Sequence, residues 1–170
     1  QADAYALSRA RVIPATEFLQ LAQAHKNEED FSVWADLAGS LRAFDLLLAG
    51  EPFNDKYRAL AREVLQPIVQ KMGWDPGPGE GHLEAMLRST VIGAMGAFGD
   101  QQTLDGASRR FLRYLEDPSS LPADIRGAAY GLAAQNGGNE AYQSMHNLAR
   151  DQQFQEERLR LYGALTRFPT

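Results

Sequence analysis

Gly73-Trp74-Asp75-Pro76-Gly77-Pro78-Gly79-Glu80-Gly81-His82-Leu83-Glu84-Ala85-Met86-Leu87-Arg88 is the run on which the reading of this chain turns. Two prolines and four glycines fall between Gly73 and Gly81, and an amphipathic pattern begins directly behind them. Proline lacks an amide hydrogen and glycine weakens helices, so no helix continues through such a run. It reads as a stiff corner that ends one helix, reverses the chain and starts the next. Glu80 is expected near the positive end of the new helix, with Trp74 packed down onto the hairpin.

Helical periods extend outward on both sides. Behind the corner, Leu83, Met86, Leu87, Thr90, Val91, Ala94 and Phe98 mark the expected buried side of a helix, and Gly93, Ala94, Gly96 and Ala97 would admit a close neighbour. Ahead of it, Tyr57, Leu60, Ala61, Val64, Ile68 and Met72 trace a helix that Pro67 should kink. Phe31, Trp34, Leu37, Leu41, Phe44 and Leu48 line another, with Asp36, Arg42 and Asp45 largely on its other side. Two shorter helices come first, one carrying Tyr5, Ala6, Arg9 and Ala10 up to Pro14. The other carries Phe18, Leu21 and Ala22 and closes at Lys26-Asn27. Towards the C-terminus, Thr103, Pro122, Asn139 and Asp151 are the expected starts of four more, the first of these ending before Pro118.

Period-two alternation is absent, so no strand is expected. About nine helices with short connections should stack as antiparallel pairs. Two helices with their turns occupy about 35–45 residues, the unit length of HEAT-like and tetratricopeptide arrays. The expectation is all-α: a right-handed HEAT/armadillo-like superhelix of antiparallel helix pairs, with residues 1–170 forming one array. A closed bundle is the alternative.

Composition narrows the function classes. A length of 170 residues suits one domain or a portion of a larger one, and a net charge of −5 argues against a nucleic-acid surface. There are no cysteines, which removes disulfides, thiol nucleophiles and cysteine zinc sites. The longest apolar run, Leu46 to Ala49, is far short of a membrane span. The start at Gln1 lacks a basic region and reads as cut from something longer.

Catalytic arrangements do not emerge. His25, His82 and His146 lie far apart, and neither H-E-x-x-H nor G-x-S-x-G occurs. Glu28-Glu29-Asp30 and Glu156-Glu157 sit at expected helix starts, where the helix dipole accounts for them. Gly77 to Gly81 could suggest an anion cradle, but no strand precedes it, Pro78 removes a donor and no lysine follows. Arg109-Arg110 and Arg158/Arg160 read as solvated. Arg88, between Leu87 and Val91, should either pair with a buried carboxylate or point into a cavity. No catalytic, cofactor-binding or metal-ligating residue is assigned.

Met72-Gly73-Trp74-Asp75-Pro76, Pro78-Gly79-Glu80-Gly81-His82-Leu83 and Leu87-Arg88 together resemble a segment of the C-terminal helical domain of gluzincin zinc aminopeptidases, the puromycin-sensitive branch above all. Asn27-Glu28 with Val33-Trp34-Ala35-Asp36-Leu37 is similar to that family's N-E-x-x-x-x-V-W-x-D-L run. Arg109-Arg110-Phe111, Leu121-Pro122-Ala123-Asp124-Ile125-Arg126, and Gln155-Glu156-Glu157-Arg158 with Leu161 and Gly163-Ala164-Leu165 resemble later pieces.

The resemblance implies a non-catalytic part of an enzyme that removes N-terminal residues from peptides, enclosing its chamber and limiting access. Zinc would belong to the parent's catalytic domain, since H-E-x-x-H and G-x-M-E-N are both missing here. The partners implied are that catalytic domain and the parent's peptide substrates, and the expected compartment is cytoplasmic. Trp74, Asp75, Pro76, Gly79, Glu80, Gly81, His82 and Arg88 carry the family signature in a structural role. Self-association through Phe154, Leu161, Tyr162 and Phe168 is a further expectation. A free-standing HEAT-like interaction scaffold is the rival reading.

Overall fold

The computed structural model describes residues 2–25, 28 and 30–169. Lys26-Asn27, the expected close of the second helix and part of the family-like N-E run, lie outside the described residues. Among those described there are nine α-helices and no strand. They are α1 (Ala2–Arg9), α2 (Ala15–Ala24), α3 (Phe31–Leu47), α4 (Asn54–Met72), α5 (His82–Ala97), α6 (Gln101–Glu116), α7 (Ala123–Asn136), α8 (Asn139–Asp151) and α9 (Gln155–Leu165). They gather into two compact units, one ending at Phe98 and the other beginning at Gly99.

In the first unit α3 packs against α1, α4 and α5, and α4 packs against α5. Each helix therefore meets its successor or the one after, the pattern of stacked helix pairs. Trp34, Leu37, Leu41, Ala61, Val64, Leu65, Leu87 and Val91 are almost fully buried between them. At about 1.5–3 kcal/mol for each large apolar side chain, this burial is what holds the unit together. The Trp34 indole N–H donates to the carbonyl of Glu28 at 3.0 Å, so its one polar atom is satisfied. Tyr5, Phe18 and Phe44 meet ring to ring at 5.2–5.9 Å and tie α1 and α2 to α3. The α4 helix runs through Pro67 without a break.

In the second unit α6 packs on α7, α7 on α9 and α8 on α9. Phe111, Tyr130, Leu121, Leu132, Met145 and Leu161 form its interior. Tyr130 meets Tyr114 and Phe111 edge-on at 5.5 and 5.9 Å. A 3-10 turn over Pro118–Ser120 links α6 to α7. Arg126 secures that turn: its Nε donates to the carbonyl of Leu121, its Nη2 donates to that of Pro118, and its guanidinium lies over the Tyr114 ring at 5.0 Å.

Several boundaries and faces differ from expectation. Asp100, not Thr103, caps α6: its carboxylate accepts from the amide and hydroxyl of Thr103 at 2.9 and 2.6 Å, and Thr103 is buried. Asp151 ends α8 and does not start α9, whose N-cap is Phe154 with no side-chain bond. Asn139 opens α8 behind Gly138 without capping it. On α5 the buried residues are Leu87, Arg88, Val91, Ile92, Ala94, Met95 and Gly96, whereas Leu83 and Met86 stay 67% and 54% exposed. On α2, Leu21 faces outward. Asp45 is buried, held by Arg58 through two hydrogen bonds of 2.6 and 3.0 Å.

Candidate functional site

The corner between α4 and α5 is assembled around one side chain. Helix α4 ends at Met72, and Gly73 leaves it with φ +56°, a backbone state that favours glycine, while its amide still donates to the carbonyl of Val69. Gly79 has φ +79° and turns the chain back. Into the loop so formed reaches Arg88, one and a half turns into α5 and 3% exposed. Its Nε donates to the Met72 carbonyl at 3.3 Å, and its Nη2 donates to the carboxylate of Glu80. One guanidinium thus ties the last residue of the incoming helix to the approach of the outgoing one.

Electrostatics fits that arrangement. The hydrogen bond from Arg88 holds the Glu80 carboxyl below the usual carboxylate range, helped by the backbone amide of Gly77. A Cβ on residue 77 would sit 3.1 Å from Glu80 Oε1, so the close approach favours glycine there. The amide of Gly81 donates to Glu84 Oε2 at 3.0 Å, which uses the first free donor of α5 internally. Arg88 is likewise engaged. These contacts stabilise a corner and leave no anion cradle.

The remaining signature residues are placed as follows. Trp74 is half-buried, Asp75 and Pro76 are exposed, and His82 is exposed at the first turn of α5. Next to this turn Asp30, Phe31, Ala35, Leu83, Met86 and Thr90 border an open concavity of about 550 Å³ between α3 and α5.

A second polar cluster, between α7 and α9, was not apparent as such from the sequence. Glu157 is 6% exposed; its Oε1 accepts from the Tyr130 hydroxyl at 2.6 Å and its Oε2 from Arg160 Nη1 at 3.0 Å. Arg160 also donates to Glu156 at 2.6 Å; Glu156 stays an exposed charge in the first turn of α9, whereas Glu157 is buried and Arg160 is paired with both. Spacing carries the missed signal: Glu157, Leu161 and Ala164 recur at four and three, and all three are buried. Of the residues expected to mediate self-association, Leu161 is fully buried and belongs to the interior. Phe154 and Tyr162 are exposed, and Phe168 packs edge-on against Tyr142 at 5.3 Å.

The histidines do not converge. The Nδ1–H of His25 donates to the Leu21 carbonyl at 2.6 Å, and His146 stacks on Tyr142. Among the described residues no three His, Asp or Glu side chains come together as a metal-ligand set, so the residues present do not fit zinc. No helix among them is long and apolar enough to cross a membrane.

Comparison with known proteins bears directly on this all-helical arrangement. Aminopeptidase M1 of Arabidopsis thaliana is 34% identical over 98% of this chain and 20% of its own length. Aminopeptidase M1-A of Oryza sativa subsp. japonica is 33% identical over 98% of this chain and 20% of its own. Glutamyl aminopeptidase of Bos taurus is 30% identical over 95% of this chain and 17% of its own. The chain therefore spans about a fifth of the length of these relatives. The sequence profile of the ERAP1-like C-terminal domain matches residues 1–170 without interruption. A corner signature, a helix-pair architecture and that end-to-end match converge, and the chain belongs to the family of ERAP1-like C-terminal domains of M1 aminopeptidases.

Proposed function

We propose that residues 1–170 are one non-catalytic array within the larger C-terminal domain of a zinc-dependent aminopeptidase, which removes N-terminal residues from peptides. In this reading the array helps wall the chamber above the active site and limits which peptides enter. Its partners are the catalytic domain of the same parent chain and, through it, the peptide substrates; the compartment is cytoplasmic. The observation that carries the reading is the profile match over all 170 residues, joined to aminopeptidase relatives at about one-third identity. Chemistry in the chain agrees with a structural role, because the buried charged groups among the described residues, Asp45, Arg88 and Glu157, are all engaged with protein partners.

The test compares two preparations. The isolated chain should not hydrolyse aminoacyl-arylamides, whereas the full-length protein should, and should lose that activity when zinc is chelated. Hydrolysis by the isolated chain that survived chelation and stringent repurification would overturn the assignment. A full-length protein without hydrolytic activity would favour a HEAT-like interaction scaffold instead.

A further inference from the structure

The first unit carries a groove built from α2, α3, α4 and the turn between the last two. Leu19, Phe44, Leu48, Phe53 and Leu60 form its walls, together with the ring of Tyr57, and it encloses about 410 Å³. The Tyr57 hydroxyl donates to the Leu41 carbonyl at 2.6 Å and is spent within the protein, so the groove offers carbon almost throughout. Phe53 stands in the turn 50% exposed and presents its ring at the groove beside Leu48 and Leu60. Exposed aromatic and aliphatic side chains gathered around a concavity mark a docking surface.

One charge borders the groove. Lys56 lines it and has no carboxylate partner among the described residues, whereas neighbouring Arg58 is taken by Asp45. The occupant that fits is an apolar side chain or helix face with an acidic residue beside it. The exposed apolar pair Leu159 and Tyr162 on α9 does not match that pattern, since Arg158 alongside would bring a cation towards Lys56.

We propose that this groove seats an apolar segment, flanked by a carboxylate, from the part of the enzyme outside residues 1–170. The inference rests on the reading that the chain is one portion of a larger aminopeptidase. It draws on the relatives, in which the matched stretch is only 20% of the whole length.

The 170 residues contain no cysteine, so Phe53→Cys places a single thiol of this region at the mouth of the groove. Alkylation of that thiol is followed by peptide mass spectrometry in the full-length protein, folded and in urea. A seated segment should slow labelling of the folded protein by about a hundredfold or more relative to the unfolded chain. Adding Lys56→Glu should return about two- to fivefold of that protection, the worth of an exposed ion pair. Labelling within a few-fold of the unfolded rate overturns the proposal, as does protection that disappears on dilution, which would mean a second copy. Helix content by circular dichroism reports whether the variant folds; if it does not, Lys56→Cys supplies the same readout from the edge of the groove. Hydrolysis by the same preparation separates the two readings: an active but unprotected enzyme sinks the groove alone, and an inactive but protected protein sinks the enzyme assignment alone.

Discussion

A guanidinium carries five N–H donors and no acceptor, so a buried arginine is tolerated only where oxygens converge on it. Arg88 has the Met72 carbonyl and the Glu80 carboxylate. Arg88→Met keeps the packing of the stem and removes both bonds, and it should destabilise the protein by roughly 2–4 kcal/mol. The measurement is the urea midpoint at unchanged slope, and a shift worth less than about half a kcal/mol would sink the idea that this side chain holds the corner. Glu80 makes an independent prediction. Its folded-state carboxyl titrates below the ordinary value of 4.5, so the folded protein binds that proton less readily than the unfolded chain. The stability it contributes is complete above the unfolded value and drains away as pH falls towards and through the lower folded one. Glu80→Gln should therefore flatten the loss of stability in acid; an acid limb identical to that of the wild type would rule the contribution out. Arg88 was conspicuous in the sequence, between Leu87 and Val91, but its partners were not. One is a main-chain carbonyl, which has no residue signature, and the other is eight residues back, in a corner whose turns at Gly73 and Gly79 no spacing pattern reveals.

Among the helices, small residues separate steric need from habit. A Cβ on residue 137 would lie 2.7 Å from the Ala133 carbonyl oxygen and 2.8 Å from the Ala141 Cβ, whereas at residue 138 it would meet nothing within 4 Å. Gly137→Ala should thus cost about 1–3 kcal/mol of stability, and Gly138→Ala should be close to neutral. Thermal midpoints that moved equally for the two variants would contradict the packing of α7 against α8. The α7–α9 contact has its own optical readout. Burial, followed by the hydrogen bond to Glu157, pushes the Tyr130 phenol far up, and burial does the same for Tyr57. For an acid whose folded pKa is raised, stability is intact below the unfolded value and is lost as pH rises, so both hydroxyls should ionise only when alkali unfolds the chain. Absorbance at tyrosinate wavelengths should then rise in an early step and a later one coincident with unfolding, and Tyr130→Phe should diminish the late step. A single smooth titration before unfolding would exclude this. The existence and type of all nine helices were legible from apolar spacing, while their starts were less so. Thr103, Asn139 and Asp151 are all good caps by residue type, yet Asp100 captures the first role because it follows Gly99, at φ +80°, and reaches the Thr103 amide. Leu83 and Met86 fit the helical period but point to the open side of α5, which a one-dimensional pattern cannot distinguish from an interior.

For the molecule as a whole, family membership was legible because matches fell in order along the chain, from Val33-Trp34 through the Gly73–Arg88 corner to Leu161. Seats on other parts of an enzyme were not, since an apolar groove such as that around Phe44 and Phe53 follows from how three helices meet. The same distinction governs what the chain should do with metal. Zinc needs three or more protein ligands held within bonding distance of one point, and binding to the folded state alone stabilises it by mass action, about 2.7 kcal/mol when metal exceeds its dissociation constant a hundredfold. Here His25 is bonded to its own helix, His82 opens α5 and His146 stacks on Tyr142 in the other unit, with no convergent carboxylates among the described residues. Micromolar zinc should consequently leave the melting temperature of the isolated chain unchanged, and a chelator should do the same. The full-length enzyme should behave differently, because in the proposed reading its ligands lie elsewhere in the parent. A saturable rise in melting temperature of the isolated chain, abolished by substituting any one histidine, would show that these residues assemble a site that the described geometry does not contain.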